Sequence, residues 1–531
     1  MRRRRRIARI FADYFCRFVA VARFRGIRHY SRKVFMKFKF ICPCSAYLVS
    51  TLTLFTCVVG AQAQTQNDNQ PVTITIAANA NANADATLSP DFLGLSYESS
   101  MLLPKDGKYY FDTDDRALIN TFRTLGIKSL RVGANAVDDP SVPVPGTREA
   151  DVLFNFARAA GVKVIYSFRL KNGDTTLAAR LARYIAVHDA DALDCFSIGN
   201  EPSFYLKTFP VYFAQWKIRY EAILGVVPNA MFDGPCVAGS GSYVLDFARA
   251  LKPSGHLAMA SNHYYFLGSG RAGEKDPAAT RVRFLQDSLH SEYEKDYANV
   301  GAILAAQGIP YRIDEMNSCY NGGARDASDT YASTLWALDC AHWWSAHHIL
   351  GVNFHTGESV GRDGGFGPPN YAAFLQQEDG NGFIMRPEAY ALLAFTQAAR
   401  GRPLAISMQT QTAPAFNFDA YAYQDSDQSV FVTLINKSFG DDAKTAAVSI
   451  QFSSGDGSGN EKGKWRCHRM DLVQKDHDIA AKSGVLLGGA EISPDGLWQG
   501  EWKRAGRTTK SGSISVEVAP ASAAILRFSK G

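Results

Sequence analysis

Cysteine pairs are lacking where they would carry chemistry. Nine cysteines occur in 531 residues, but Cys16, Cys42, Cys44 and Cys57 fall within the first 63. The other five, Cys195, Cys236, Cys319, Cys340 and Cys467, are widely spaced and contain no CxxC pair. That spacing argues against a metal centre, and an odd count allows at most two disulfides in an exported chain. Cys195 sits in an apolar run and reads as a small buried hydrophobe. Internal repeats are lacking as well. So is a long hydrophobic run: Ala46–Val59 is short and broken by Ser50, Thr51, Thr53 and Thr56, a poor match to a membrane span. Acidic residues are nearly missing from the first 63 positions, which hold 14 Lys/Arg against Asp13 alone. The formal charge of +6 therefore contains +13 from this leader and leaves −7 for residues 64–531. A mildly acidic body argues against an overall polyanion-binding protein, so no nucleic-acid partner is expected.

Residues 1–35 have no core-forming pattern, and Arg2–Arg6 read as an over-extended start or, in a competing reading, an RNA-binding arm. Met36 begins a better leader: Lys37 and Lys39, the apolar stretch, then Ala61-Gln62-Ala63 as a small-x-small cleavage site. This predicts a signal peptide over 36–63 and a secreted or periplasmic protein with no stable membrane insertion after cleavage. A single membrane anchor is the alternative. Lipid attachment at Cys57 is disfavoured, because Phe55-Thr56 before it are not the small residues expected.

Residues 64–87 form a linker and a strand, Val72–Ile76, whose strict alternation marks one buried face. From Phe92 to Ala399 strand-like and helix-like segments alternate eight times. The strands are Phe92–Glu98, Ser129–Val132, Lys163–Phe168, Leu193–Gly199, Ala230–Val237, Ala258–Tyr265, Tyr311–Glu315 and Gly351–His355, and Ala279–Ala306 reads as one long helical stretch. Eight β/α units imply an α/β fold, a closed (β/α)8 barrel over 88–402 with its site at the C-terminal strand ends. From Pro403 the helical pattern stops, and short alternating segments with turn-rich stretches such as Ser453–Gly459 predict a β-sandwich over 403–531. That sandwich should also take in the orphan N-terminal strand. It reads as a stabilising appendage, with independent carbohydrate binding as the alternative.

Two carboxylates fall at the strand ends. The run Ser197-Ile198-Gly199-Asn200-Glu201-Pro202 ends the fourth strand, where Pro202 removes a ladder donor and favours an extended Glu201. The run Tyr311-Arg312-Ile313-Asp314-Glu315-Met316-Asn317 ends the seventh. Two acids on different strands of one barrel can flank a glycosidic bond as acid and nucleophile. Tyr97, Glu98, Gly133, Asn135, His263, Tyr264, Tyr265, His355 and Glu358 fall at the same level. Singly, each has a structural reading: His263 donating to a carbonyl, Tyr265 packing under the helices.

Phe92-Leu93-Gly94-Leu95-Ser96-Tyr97-Glu98, Leu130-Arg131-Val132-Gly133, Ile198–Pro202, His263-Tyr264-Tyr265, Asp314–Ser318, Asn353-Phe354-His355 and Arg386-Pro387-Glu388, in this order, resemble glycoside hydrolase family 79. This is the β-glucuronidase and heparanase group, and the resemblance covers about residues 70–531. It implies Glu201 as general acid/base and Glu315 as nucleophile of a retaining hydrolase, with no metal or other cofactor. The substrate implied is an oligosaccharide, polysaccharide or glycoconjugate bearing β-linked uronic acid, cleaved in exo fashion. Asn200 would meet the sugar 2-hydroxyl and Glu98 other ring hydroxyls. Tyr320 matches a tyrosine that holds the uronate carboxylate, Tyr264 and His355 match neighbouring pocket positions, and Tyr371 would be a further donor. Gly133-Ala134-Asn135 departs from the Gly-Gly pair common in the group. A heparanase-like endo-enzyme, a retaining β-glycosidase for neutral sugars, and a non-catalytic sugar-binding protein on the same barrel are the alternatives.

Overall fold

The computed structural model of the chain describes residues 70–77, 87–239, 241–362, 365–410, 417–453 and 465–530. The leader and signal expected over 1–63 lie outside them. Strands β1 (Gln70–Ala77), β2 (Leu93–Glu98), β3 (Ser129–Gly133), β4 (Lys163–Phe168) and β5 (Leu193–Ile198) are followed by β6 (Phe232–Ala238), β7 (Leu257–Tyr265), β8 (Tyr311–Asn317) and β9 (Gly351–His355). Strands β2 to β9 close a parallel barrel in sequence order. Most of their residues are buried, including polar ones such as Asn262 and His263 on β7 and Arg312, Asp314 and Glu315 on β8. Ser96 stands opposite His355 across the closing β2–β9 pair, and Glu98 opposite Gly133 across β2–β3, so these residues share the C-terminal rim. At the other end the buried Arg312 pairs with Asp91 at 2.9 Å and donates to Asn353 at 3.0 Å.

The surrounding helices begin where sequence supplies an acceptor for their unpaired amides. Asp115 accepts from Leu118 N–H ahead of helix Arg116–Thr124, and Asp174 from Thr176 and Leu177 ahead of helix Thr175–His188. The long helix expected over Ala279–Ala306 is instead broken into Pro277–Phe284, Ser288–Asp296, a π turn Tyr297–Gly301 and Ala302–Ala306. Tertiary contacts override the helical pattern here: Asp287, at the break, makes no cap bond and pairs with Lys437 at 3.2 Å. None of the helices among the described residues is long and apolar enough to cross a membrane.

After β9 come two small hairpins, β10 (Val360–Arg362) with β11 (Gly365–Gly367) and β12 (Phe374–Gln376) with β13 (Phe383–Met385), then helix Pro387–Ala398. The sandwich begins at β14 (Arg402–Leu404) and β15 (Ile406–Thr410), and continues with β16 (Phe418–Gln424), β17 (Val430–Asn436) and β18 (Ala446–Ser453). It ends with β19 (Trp465–Gln474), β20 (Val485–Leu487), β21 (Lys503–Arg507), β22 (Ser513–Val518) and β23 (Ser522–Lys530). One sheet runs β15-β1-β18-β22 and the other β14-β16-β17-β23-β19-β20, with β21 beside β19. Strand β1 thus joins the C-terminal domain, parallel to β18 and antiparallel to β15, with Val72, Ile74 and Ile76 facing inward. Helix Tyr331–Ala346 lies between barrel and sandwich, and every residue from Tyr331 to Ser345 is buried. One apolar core runs from the barrel through Leu335 and Leu392 to Ile435, Leu472 and Ile525 of the sandwich. The five cysteines among the described residues are free and buried, so no disulfide forms there.

Candidate active site

Strand β5 ends at Ile198, and the chain turns sharply through two residues of positive φ, Gly199 at 86° and Glu201 at 44°. Only glycine fits the first, since a Cβ there would sit 2.8 Å from Leu170. The extended Glu201 expected before Pro202 is not what forms. Glu201 is left-handed, φ 44° and ψ 48°, because its N–H reaches back to Cys236 O on β6 at 2.8 Å while Pro202 opens a short 3-10 turn, Pro202–Phe204. The side chain meets Nδ1 of His263 at 3.0 Å through Oε1.

Glu315 lies on β8 opposite His263 of β7, where the register slips: Asn262 pairs with Ile313, but His263 pairs with Glu315. Skipping Asp314 in this way lets two successive acids be buried at the barrel axis, Asp314 fully and Glu315 nearly so. Arg131 of β3, itself buried, donates to Glu315 Oε2 at 2.6 Å and to Asn200 Oδ1 at 2.7 Å, and its Nε lies 3.6 Å from Asp314. The Tyr265 hydroxyl donates to Glu315 Oε1 at 2.8 Å. Burial works against a charged Glu315, yet the His355 and His263 imidazoles, the Arg131 guanidinium and the Tyr265 hydroxyl together hold its carboxyl well below the usual range. Burial likewise opposes a charge on His263, but Glu315 and Asp314 outweigh it and raise the imidazole well above its ordinary value. Carboxylate oxygens of Glu201 and Glu315 and a ring nitrogen of His263 all lie within 4.8 Å of one another. The site therefore presents two close carboxyls, one of them held ionised.

The other expected residues divide. Asn200 is buried in the site, its Nδ2 3.3 Å from Asn135 Oδ1. Tyr371 is buried with its ring 6.3 Å from that of Tyr265 and 6.0 Å from that of His355. Nδ1 of His355 faces Ser96 O at 3.1 Å, so that nitrogen carries the proton, and burial holds the ring below its ordinary pKa. Tyr320 stands on the rim, 46 % exposed. Tyr264 does not reach the pocket. Side chains alternate along β7, so His263 and Tyr265 point to the axis while Tyr264 turns outward and stacks on Phe266 and Trp344. Glu98 is fully buried and accepts from Ala136 N–H and Gly361 N–H, both at 2.7 Å. It ties the loop after β3 to hairpin β10–β11, and burial pushes its pKa up to about 8. As a ring-hydroxyl acceptor it is out of reach.

Arg131, His263 and Tyr265 are the residues that sequence reasoning left without a site role. The signal for Arg131 was a charge inside a buried strand, and for the pair on β7 the two-residue alternation itself. Glu201, His263 and Glu315 could offer a metal three donors. Nδ1 of His263 already engages Glu201, however, and Arg131 already balances Glu315. The donor set of His290, Asp339 and Asp419 already surrounds the Lys437 ammonium. A cavity of about 320 Å³ opens beside Glu201, lined by Asn135, Asp138, Lys171, Asn200, Phe204 and Tyr205 among others. A larger one of about 620 Å³ lies by Leu88, Lys128 and Phe395, at the N-terminal end of the barrel away from the carboxylates.

No protein-family model matches the chain. It is 24% identical over 229 residues to a β-glucuronidase of Aspergillus niger, covering 38% of this chain and 41% of that protein. It is 27% identical over 126 residues to heparanase-like protein 1 of Arabidopsis thaliana, 22% of each. The matched stretches thus span well under half the length of these curated relatives. Among solved structures, a 4-O-α-L-rhamnosyl-β-D-glucuronidase of Fusarium oxysporum superposes with TM-score 0.66 at 18% identity, over 86% of this chain and 99% of that one. A GH51 arabinofuranosidase of Xanthomonas axonopodis superposes with TM-score 0.59 at 13% identity, over 87% and 100%. At such identities these are likenesses of fold. The similarity to β-glucuronidase and heparanase-like sequences agrees with the family resemblance carried by the motifs.

Proposed function

We propose that the chain is a retaining glycoside hydrolase that removes terminal β-linked glucuronic acid from an oligosaccharide, polysaccharide or glycoconjugate. The observation that carries this reading is the approach of Glu201 and Glu315 to within 4.8 Å at the ends of β5 and β8. Retaining enzymes hold their two carboxyls about 5–5.5 Å apart, and inverting ones leave room for a water between them. Glu315, kept ionised, attacks the anomeric carbon while Glu201 delivers a proton to the departing oxygen. Water then enters with Glu201 as base and releases the sugar with its configuration kept. Arg131 and Tyr265 fix the two oxygens of Glu315 so that one lone pair faces the sugar. Asn200 is placed for the 2-hydroxyl.

Uronate recognition rests on the relatives and on the neutral hydroxyl of Tyr371 in the pocket wall, with Tyr320 at the rim. Exo action is supported by hairpin β10–β11, which Glu98 ties to the loop after β3 and which walls off that flank. Export through residues 36–63 belongs to the same proposal and rests on sequence alone; N-terminal sequencing of the exported protein, expected to begin near Gln64, tests it.

A panel of aryl β-glucuronide, β-xyloside, β-galactoside and β-glucoside substrates, offered to the purified protein, tests the function. Glucuronide turnover about 10⁴-fold above the others is expected, the discrimination of a site whose buried polar groups lose their partner on the substrate. Preference for a neutral glycoside would overturn the uronate reading, and internal cleavage of a uronate polymer the exo one.

A further inference from the structure

The turn that carries Glu201 should be able to swing. Gly199 lies at φ 86°, and the next three residues leave the sheet, so the segment is a natural hinge. One side chain outside the turn spans it. Asp138, in the loop after β3 and only 7% exposed, accepts four hydrogen bonds from two other loops. Its Oδ1 takes Leu170 N–H and Lys171 N–H, each at 2.8 Å, from the loop after β4. Its Oδ2 takes Asn200 N–H at 2.9 Å and the Tyr205 hydroxyl at 2.7 Å. Oδ2 therefore brackets both ends of Asn200–Tyr205, the stretch with Glu201 inside it. The adjacent amide, that of Glu201, is held from the opposite side by Cys236 O. Two successive amides fixed in opposing directions leave Glu201 a single left-handed conformation.

We infer that Asp138 is a positioning residue for the proton transfer, holding the acid/base Glu201 at its working distance from the departing oxygen through the backbone of its turn. The role rests on the reading of Glu201 as general acid. Ionised carboxylates are unmatched as acceptors of four donors; an amide in the same place turns one oxygen into a donor that faces two N–H groups or an N–H and an O–H. Asp138→Asn should therefore loosen the turn and leave Glu315 and its partners in place.

The test is the leaving-group dependence of kcat/KM, which reports the steps up to aglycone departure, across phenyl, 4-methylumbelliferyl, 4-nitrophenyl and 2,4-dinitrophenyl β-glucuronides. A misplaced acid hurts only substrates that need its proton. Asp138→Asn should lose about 100-fold on the phenyl glycoside, as a displacement of about 1 Å does. It should lose less than about threefold on the dinitrophenyl glycoside, whose oxygen leaves unassisted. Tyr205→Phe, which removes one of the four donors and leaves the carboxylate, should show the same gradient at smaller size. It decides the matter should the Asn variant not fold. Equal losses along the series in Asp138→Asn, or a flat profile in Tyr205→Phe, would overturn the role and leave Asp138 a loop-holding acid. If Glu201→Ala gives no gradient either, or the wild-type chain is inert toward the whole series, the reading of Glu201 falls, and this role with it.

Discussion

Replacing Arg131 with methionine removes a cation and keeps the stem. In the native site the guanidinium touches Glu315 at 2.6 Å and Asn200 at 2.7 Å and lies 3.6 Å from Asp314, all out of water. Taking away one partner of a buried ion pair leaves an uncompensated charge, at a cost of about 3–5 kcal/mol. Two acids are left here, with His263 as the remaining nearby cation. The pH dependence should change with it. Glu315 is depressed in the folded chain, so its ionisation stabilises the fold above the ordinary carboxylate pKa, and that stability is lost as pH falls through the depressed value. In Arg131→Met the depression shrinks or reverses. An acid limb in kcat/KM, below the working range for the wild type, should then appear near or above the ordinary Glu value of about 4.3. Thermal denaturation and the pH–rate profile on a dinitrophenyl glycoside check the two halves separately. Unchanged melting together with an unshifted acid limb would show that Arg131 does not set the charge on Glu315.

Four further outcomes are expected. Glu315→Ala should abolish turnover for every leaving group. Glu201→Ala should spare dinitrophenyl glycosides in the first step and be rescued by azide to a β-glycosyl azide, an α-azide marking rescue of Glu315→Ala; product analysis by NMR distinguishes them. Tyr265→Phe should lower kcat about 10–100-fold, the worth of a hydrogen bond to a charged group, and a rate near wild type would remove it from the site. Tyr264→Phe, at a ring that turns away from the axis and keeps its stacking on Phe266 and Trp344, should instead leave kcat intact. A large fall in kcat there would mean the ring faces the sugar.

The barrel was legible because each strand is a short apolar run followed by a helical pattern, and a pattern repeated eight times survives errors at single ends. Strand β1 was legible through its alternation, and its sheet followed from its lying outside the barrel. Five sandwich strands, β14, β15, β19, β20 and β21, fall outside the alternating segments legible at 416–423, 430–435, 446–452, 513–518 and 523–528. In β19 the inward Trp465, Cys467, Met470 and Leu472 are interleaved with Arg466, His468, Arg469 and Asp471, and the inward positions shift from odd to even at a register slip. That phase change hides the alternation. Strand β21 is Lys-Arg-Ala-Gly-Arg, held by pairing with β19 alone. The two acids could be placed at strand ends because a proline and an apolar run locate the end. The conformation of Glu201 could not, since the N–H that decides it bonds to Cys236, thirty-five positions away and on another strand. The same holds for Glu98, whose amide partners come from two separate loops, and for Asp138.

Removal of residues 403–531 should leave no folded barrel. Helix Tyr331–Ala346 has no solvent face to fall back on: its barrel side packs on Phe354, and its other side meets the sandwich. Nδ1 of His342 lies 2.7 Å from the Tyr423 hydroxyl, Tyr421 donates to Asp339 at 2.6 Å, and Lys437 pairs with Asp339 at 3.1 Å. Truncation after Arg402 strips all three partners, leaving a buried acid and a buried imidazole facing water on an apolar surface. It also frees β1, whose two neighbours β15 and β18 are gone, as an unpaired edge. Ile435, Met470, Leu472, Val485, Leu487 and Ile525 belong to the same core as the barrel helices. At about 1.5–3 kcal/mol per buried side chain, losing these six contacts alone removes on the order of 10 kcal/mol. A domain's entire stability is about 5–15 kcal/mol. Expression of the truncated chain should therefore yield insoluble protein, or soluble material without a cooperative melting transition. A soluble barrel that melts cooperatively and turns over substrate would show that the helix layer can close without the sandwich. The shared core would then be an attachment surface, with no part in forming the barrel.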